Sequence, residues 1–141
     1  MLAEDEHSLQ YPDNVQIHED IKGLIGRYYA AFDTCGGQDE CAQCFAEDAV
    51  ITAPNGVQIH GREAVRSLHQ KSWASLSRRL HRPTKMFPFG NQSTEFVIIG
   101  TAEVWEKEGK YSKMNSASHF RCRRDAASGV MEIISLNIWV S

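Results

Sequence analysis

No stretch of this 141-residue chain comes near the run of about 20 apolar residues that a membrane-crossing helix needs. Its start, Met1 to Asn14, has neither the basic head nor the apolar centre of a secretion signal. Glu4, Asp5 and Glu6 make it an acidic, flexible arm instead, ahead of a single domain over residues 15–141. Strong charge is missing as well: a formal net charge of −3 and the absence of any long basic run argue against nucleic acid as a partner. Cysteine is scarce. Of the four, Cys41 and Cys44 form a CxxC, but no second CxxC or CxxH exists to complete a zinc site. On a helix those two cysteines share a face with Phe45, which fits packing as small hydrophobes. The expectation is a soluble, cytoplasmic protein without metal, membrane or nucleic-acid chemistry.

What is present is a change of hydrophobic period. Ile17, Ile21, Leu24, Ile25, Tyr28 and Phe32 recur at helical spacing, with Asp13 or Asn14 to cap the start and Gly36-Gly37 to close the end. A short helix is expected over 38–46. Two β-rich runs, 49–53 and 57–60, flank Pro54-Asn55-Gly56, a hairpin signal. A third helix, 62–79, buries Ala64, Val65, Leu68, Trp73 and Leu76. Alternation then predicts long strands at 80–87, 94–106, 111–124 and 130–140. Helices first and a meander of strands afterwards describe an α+β domain: three helices on a strongly bent, mostly antiparallel sheet. The space between the two layers is either packed or left as a pocket.

Two residues stand out for chemistry. Asp33 falls at the end of the first helix, where a carboxylate opposes the helix dipole and is disfavoured by about 0.3–1 kcal/mol. Its place on the helical wheel is a flank, beside Tyr29, and not the apolar centre at Tyr28. His81 lies in "RRLHRPTKM" among Arg78, Arg79 and Arg82. Beside a carboxylate, a histidine exchanges protons near neutral pH; alone, it belongs to a basic surface.

The element order and these residues resemble the NTF2-like cone, and within it the SnoaL-like enzymes that include bile-acid 7α-dehydratase and scytalone dehydratase. The resemblance rests on "YYAAFD", which supplies Tyr28 and Asp33, and "LHRPTKM", which supplies His81 48 residues beyond Asp33 and two before Pro83. It implies that His81 removes a proton next to a carbonyl, Asp33 orients it, and the hydroxyl of Tyr28 steadies the enolate or the departing hydroxyl. The family's spacing selects Tyr28, whereas periodicity puts Tyr29 on the flank of Asp33. No cofactor is called for. The implied activity is a lyase or isomerase of secondary metabolism that dehydrates, isomerises or cyclises a small hydrophobic carbonyl compound, such as a polyketide or terpenoid intermediate. A homo-oligomer, dimer or trimer, is expected with it.

Further pocket residues are sought on the strands. Alternation groups Met114, Ser116 and Ser118 on one face of the third long strand, and scytalone dehydratase carries a serine and an asparagine at similar points. Ser116 matches the first, while Ser118 departs from the second. Tyr29, Trp73, Phe87, Glu103, Trp105 and Asn137 complete the candidate set, with Glu103 expected to be exposed. Trp139 stands about where the bile-acid enzyme has an arginine, which argues against an acidic or CoA-linked substrate. His60, His69 and His119 read as surface residues. Two other functions share the fold: a non-catalytic ligand- or protein-binding module, which predicts a filled cone and an apolar patch on the outer face of the sheet, and a shape-driven pericyclic or rearrangement catalyst. Epoxide hydrolysis needs an Asp–Arg–Asp arrangement that the sequence does not display.

Overall fold

The computed structural model describes residues 9–141, so most of the acidic arm, residues 1–8, lies outside the described residues. Helix α1 (Glu19–Phe32) begins at His18, whose ring Nδ1 accepts the Asp20 amide, a cap that neither Asp13 nor Asn14 provides. It buries Ile21, Leu24, Ile25, Tyr28 and Ala31, the stripe that a 3.6-residue period dictates. Helix α2 (Gln38–Gln43) is shorter than expected, because Phe45 already belongs to strand β1 (Phe45–Thr52) and pairs in parallel with Ile133. Strand β2 (Gln58–His60) folds back on β1 across the Asn55-Gly56 turn. Helix α3 (Arg62–Trp73) also stops early, and β3 (Leu76–Pro88) takes up the rest of the expected third helix. Strands β4 (Glu95–Glu106), β5 (Tyr111–Arg124) and β6 (Met131–Val140) follow, close to their expected limits.

The six strands form one sheet in the order β2-β1-β6-β5-β4-β3, antiparallel except for β1 with β6. Register fixes its faces, since side chains directly opposite one another share a side. Phe96, Phe120 and Leu136 form one such row and are buried against Tyr28 and Phe45. That part of the interior is filled, with a cavity of about 30 Å³ between Tyr28, Phe45 and His69. Ile99, Ala117 and Trp139 make a row on the opposite, outer face, with Trp139 53% exposed.

The outermost strand, β3, is not left open along its whole length. Its register slips between Pro83 and Lys85, and there Gln10 bridges alongside in parallel. The Gln10 amide donates to the Thr84 carbonyl at 2.8 Å, and the Met86 amide donates to the Gln10 carbonyl at 3.1 Å. Covering an exposed edge in this way removes unpaired backbone groups. Leu9 and Tyr11 pack against the core on either side of that bridge.

Candidate active site

Asp33 caps the C-terminus of α1, where the last carbonyls of any helix lack intrahelical partners. Here they are taken up one after another. The Asp33 amide donates to the Tyr29 carbonyl, the Thr34 hydroxyl to that of Ala30, and His69 Nε2–H to that of Ala31 at 2.9 Å. The Phe32 carbonyl accepts from Trp73 Nε1 at 3.1 Å and from Arg79 Nε at 3.2 Å and Nη2. Side chains from α3 and β3 thus hold the end of α1 in one place. That end is where a carboxylate is electrostatically misplaced, and cationic Arg79 is what offsets it.

Strand alternation turns Arg79, His81 and Pro83 toward α1, and the clamp brings Asp33 to His81. One carboxylate oxygen, Oδ1, accepts from His81 Nδ1 at 2.6 Å; the other, Oδ2, accepts from the His81 backbone amide at 2.6 Å. Both side chains are mostly covered, His81 16% and Asp33 15% exposed. The imidazole lies between two aromatic rings, with centroids 5.0 Å from Phe32 and 5.9 Å from Tyr29. With Nδ1–H committed to the aspartate, Nε2 is the free basic nitrogen. It has no hydrogen-bond partner among the described residues.

Asp33, His81 and Tyr29 line a groove of about 430 Å³ that runs along α1 between the helix, β3 and the segment at Leu9–Tyr11. Its other walls are apolar, chiefly Ile25, Leu80 and Pro83, and Lys22 lies at its far end with its ammonium 4.8 Å from the Tyr11 ring centre. A larger cleft of about 900 Å³ runs past Arg27, Cys35 and Gly37, but it holds no carboxylate–histidine pair. The groove is the candidate site because chemistry and concavity coincide there.

The tyrosine at the groove is Tyr29. Tyr28 is 4% exposed and sits among the rings of Phe32, Phe45 and Phe120, so the structure does not bring it to Asp33 and His81. The reason is helical phase: a residue five before Asp33 is turned about 140° from it, whereas four before lies on the same side. Burial pushes the Tyr29 hydroxyl well up, the charge of Asp33 adds to this, and a hydrogen bond with Ser118 offsets part of it. Met114 and Ser116 share that inward face, between Ser112 and Phe120.

The remaining candidates lie elsewhere. Trp73 packs over Arg79 as part of the clamp. Phe87 and Asn137 stand in register with Val97 and His119 on the outer face. Glu103 and Trp105 are on that face too, and Glu103 is buried at 8% exposure, contrary to the exposed position expected of it. Partners make the burial tolerable: Tyr111 donates to Glu103 Oε1 at 2.6 Å and Arg82 to Oε2 at 3.2 Å. The Tyr111 hydrogen bond, ahead of the charge of Arg82, holds the carboxyl below its usual range. His69, expected at the surface, is 1% exposed, while Leu68 beside it is 36% exposed. Burial raises the thiols of Cys41 and Cys44 to about 12 and about 11, which suits packing and not reactivity.

Among the described residues no helix is long and apolar enough to cross a membrane. No curated protein matches the sequence. Solved structures do. A Novosphingobium aromaticivorans protein provisionally named an aromatic ring hydroxylase superposes with a TM-score of 0.74 at 21% identity, over 86% of this chain and 90% of its own. A type 2 hexachlorocyclohexane dehydrochlorinase does so with 0.73 at 17% identity, over 86% and 83%. A protein from Xanthomonas campestris, provisionally named a polyketide cyclase, reaches 0.68 at 21%, over 86% and 90%. At these identities the likeness is one of fold, the NTF2-like cone. The SnoaL-like domain model aligns with residues 25–127, a span that takes in Tyr29, Asp33, the clamp and His81, and on that match the chain belongs to the SnoaL-like family.

Proposed function

We propose that the protein is a cofactor-independent lyase or isomerase acting on a small hydrophobic carbonyl compound, a polyketide or terpenoid intermediate being the expected kind. The observation that carries this is the double grip of Asp33 on His81 at the wall of an apolar groove. A neutral histidine fixed through Nδ1 offers Nε2 as a general base, and the aspartate stabilises the imidazolium that forms. Nε2 takes a proton from the carbon beside the carbonyl, and the electron pair moves into an enolate. In a dehydration, the enolate collapses, the bond to a β-hydroxyl breaks with its electron pair, and the imidazolium returns its proton to release water. Tyr29 takes the role of donor to the enolate oxygen first expected of Tyr28, a reading supported by its place in the lining of the groove. Folds shared with a dehydrochlorinase and with a protein provisionally named a polyketide cyclase support the reading, since elimination and many cyclisations begin by removing a carbon-bound proton.

The test is solvent-deuterium exchange at the α-carbon across a panel of hydrophobic β-hydroxyketones. Wild type should label a member of the panel, and His81→Ala should fail to label it while still binding it. Labelling that persists in His81→Ala would transfer the chemistry to shape or to another base.

The packed interior and the apolar outer row are the features expected of a binding module, and they favour an assembly role as the second reading. Ile99, at 37% exposure, and Trp139 form with Ala117 an apolar row that a second copy of the chain would cover. Sedimentation of wild type against Trp139→Lys tests this: a dimer or trimer lost in the variant supports it, and a monomeric wild type rejects it.

A further inference from the structure

Arg79 is a buried cation, 7% exposed, two residues before His81 on the same face of β3. Its guanidinium stacks 3.9 Å from the ring centre of Phe32 and 5.1 Å from that of Trp73. Its hydrogen bonds go to neutral acceptors, the Phe32 carbonyl and the Ser72 hydroxyl at 3.0 Å. A buried guanidinium is costly without a counter-charge. Among the described residues the one carboxylate within 4 Å of it is Asp33, whose Oδ1 is 3.9 Å from Nε. That same oxygen accepts the His81 ring proton. One carboxylate therefore answers two partners, a permanent cation behind it and an imidazole in front.

Resting on the His–Asp reading of the groove, we infer that Arg79 is the positioning residue of the site: it fixes Asp33 at the end of α1 and shares with His81 the charge of its carboxylate. It lines none of the groove. The other groups facing His81 do not duplicate it. From α1 come Asp33, the neutral Tyr29 and, at the far end of the groove, Lys22; across the groove stands Tyr11; the β4 residue opposite is Ala102; and Arg82 turns away to Glu103. With the guanidinium in place, the pull of Asp33 on the imidazole is divided between two partners.

The test follows the His81 imidazole by NMR as a function of pH in wild type, Arg79→Lys, Arg79→Met and Asp33→Asn, with thermal unfolding measured beside each. Arg79→Met should raise the pH of half-protonation by about one unit, while Arg79→Lys, which keeps the charge, should stay near wild type. Should Arg79→Met not fold, Arg79→Gln reads the same shift with hydrogen bonding to Phe32 retained. A lower melting temperature with His81 unmoved in the uncharged variant, or an equal shift in Arg79→Lys, would make Arg79 a structural clamp only and overturn the inference. Asp33→Asn separates the two ideas: if it too leaves His81 unmoved, the dyad itself is at fault.

Discussion

The carboxylate of Asp33 binds both the ring and the backbone of His81, Oδ1 to Nδ1 and Oδ2 to the amide, at 2.6 Å each. A ring held only by its side chain can swing about χ1. One whose backbone is tied to the same carboxylate has the dyad distance and strand position set together. Pre-organisation of this sort is what a general base needs before substrate arrives.

The two adjacent tyrosines should separate cleanly on mutation. Tyr29→Phe removes the hydroxyl of the tyrosine that lines the groove and is expected to slow turnover by about 100-fold or more, the cost of losing one donor to a developing oxyanion. Tyr28→Phe should leave turnover near wild type, since its hydroxyl has no hydrogen bond among the described residues, whereas Tyr28→Ala should cost about 3–5 kcal/mol of stability as a large cavity opens in the core. Steady-state rates on the substrate found by deuterium exchange, with urea unfolding, check both. The reverse ranking of the two Phe variants would restore the tyrosine that family spacing selects.

Two glycines should respond oppositely to alanine. Gly26 is exposed in the middle of α1, and a Cβ there would meet nothing within 4 Å, so Gly26→Ala should stabilise by about 0.5–1 kcal/mol. At Gly100 a Cβ would lie 2.2 Å from the Arg82 carbonyl oxygen, where β3 and β4 come close, and Gly100→Ala should destabilise by about 2 kcal/mol or more. Urea midpoints decide. Because Gly26 also lies on the groove, Gly26→Leu should remain folded while excluding ligand from Asp33 and His81.

His69 predicts a pH effect on stability. Burial, partly opposed by its hydrogen bond to Ala31, depresses its pKa below the ordinary value of about 6.5, and its Nδ1 is a buried atom without a partner. Below about pH 6.5 the unfolded chain binds a proton that the folded chain resists. Stability is therefore complete above that pH and declines as pH falls through 6.5 toward the folded pKa. Urea unfolding at pH 7.5 and 5.5 should show this loss, and His69→Gln should shrink the difference between the two. A variant with an unchanged difference would assign the pH dependence to other groups.

Helix α1 and strand β5 were legible because each keeps one hydrophobic period along its length. The pairing of Asp33 with His81 was legible only through spacing shared with a family; nothing local in either segment points to the other. The clamp was not. Arg78, Arg79 and Arg82 look alike in sequence, and only the early start and alternation of β3 decide that Arg79 faces the core while its neighbour Arg78 lies over Trp105. His69 was misplaced by one step of helical phase, about 100°, which exchanges it with Leu68. The groove wall at Leu9 and Tyr11 falls in a segment whose composition suggests a loose arm; Gln10 exchanges two backbone hydrogen bonds with β3 there, and a single bridging residue leaves no periodic signal.

The central claim, that Asp33 and His81 act as one acid–base unit, is tested most directly without any substrate, by titrating the His81 imidazole in wild type and in Asp33→Asn. Loss of the carboxylate should lower the pH of half-protonation by about one unit or more, because a nearby negative charge favours the imidazolium. Identical titrations in the two proteins would contradict the account and leave Asp33 as no more than the end of a helix.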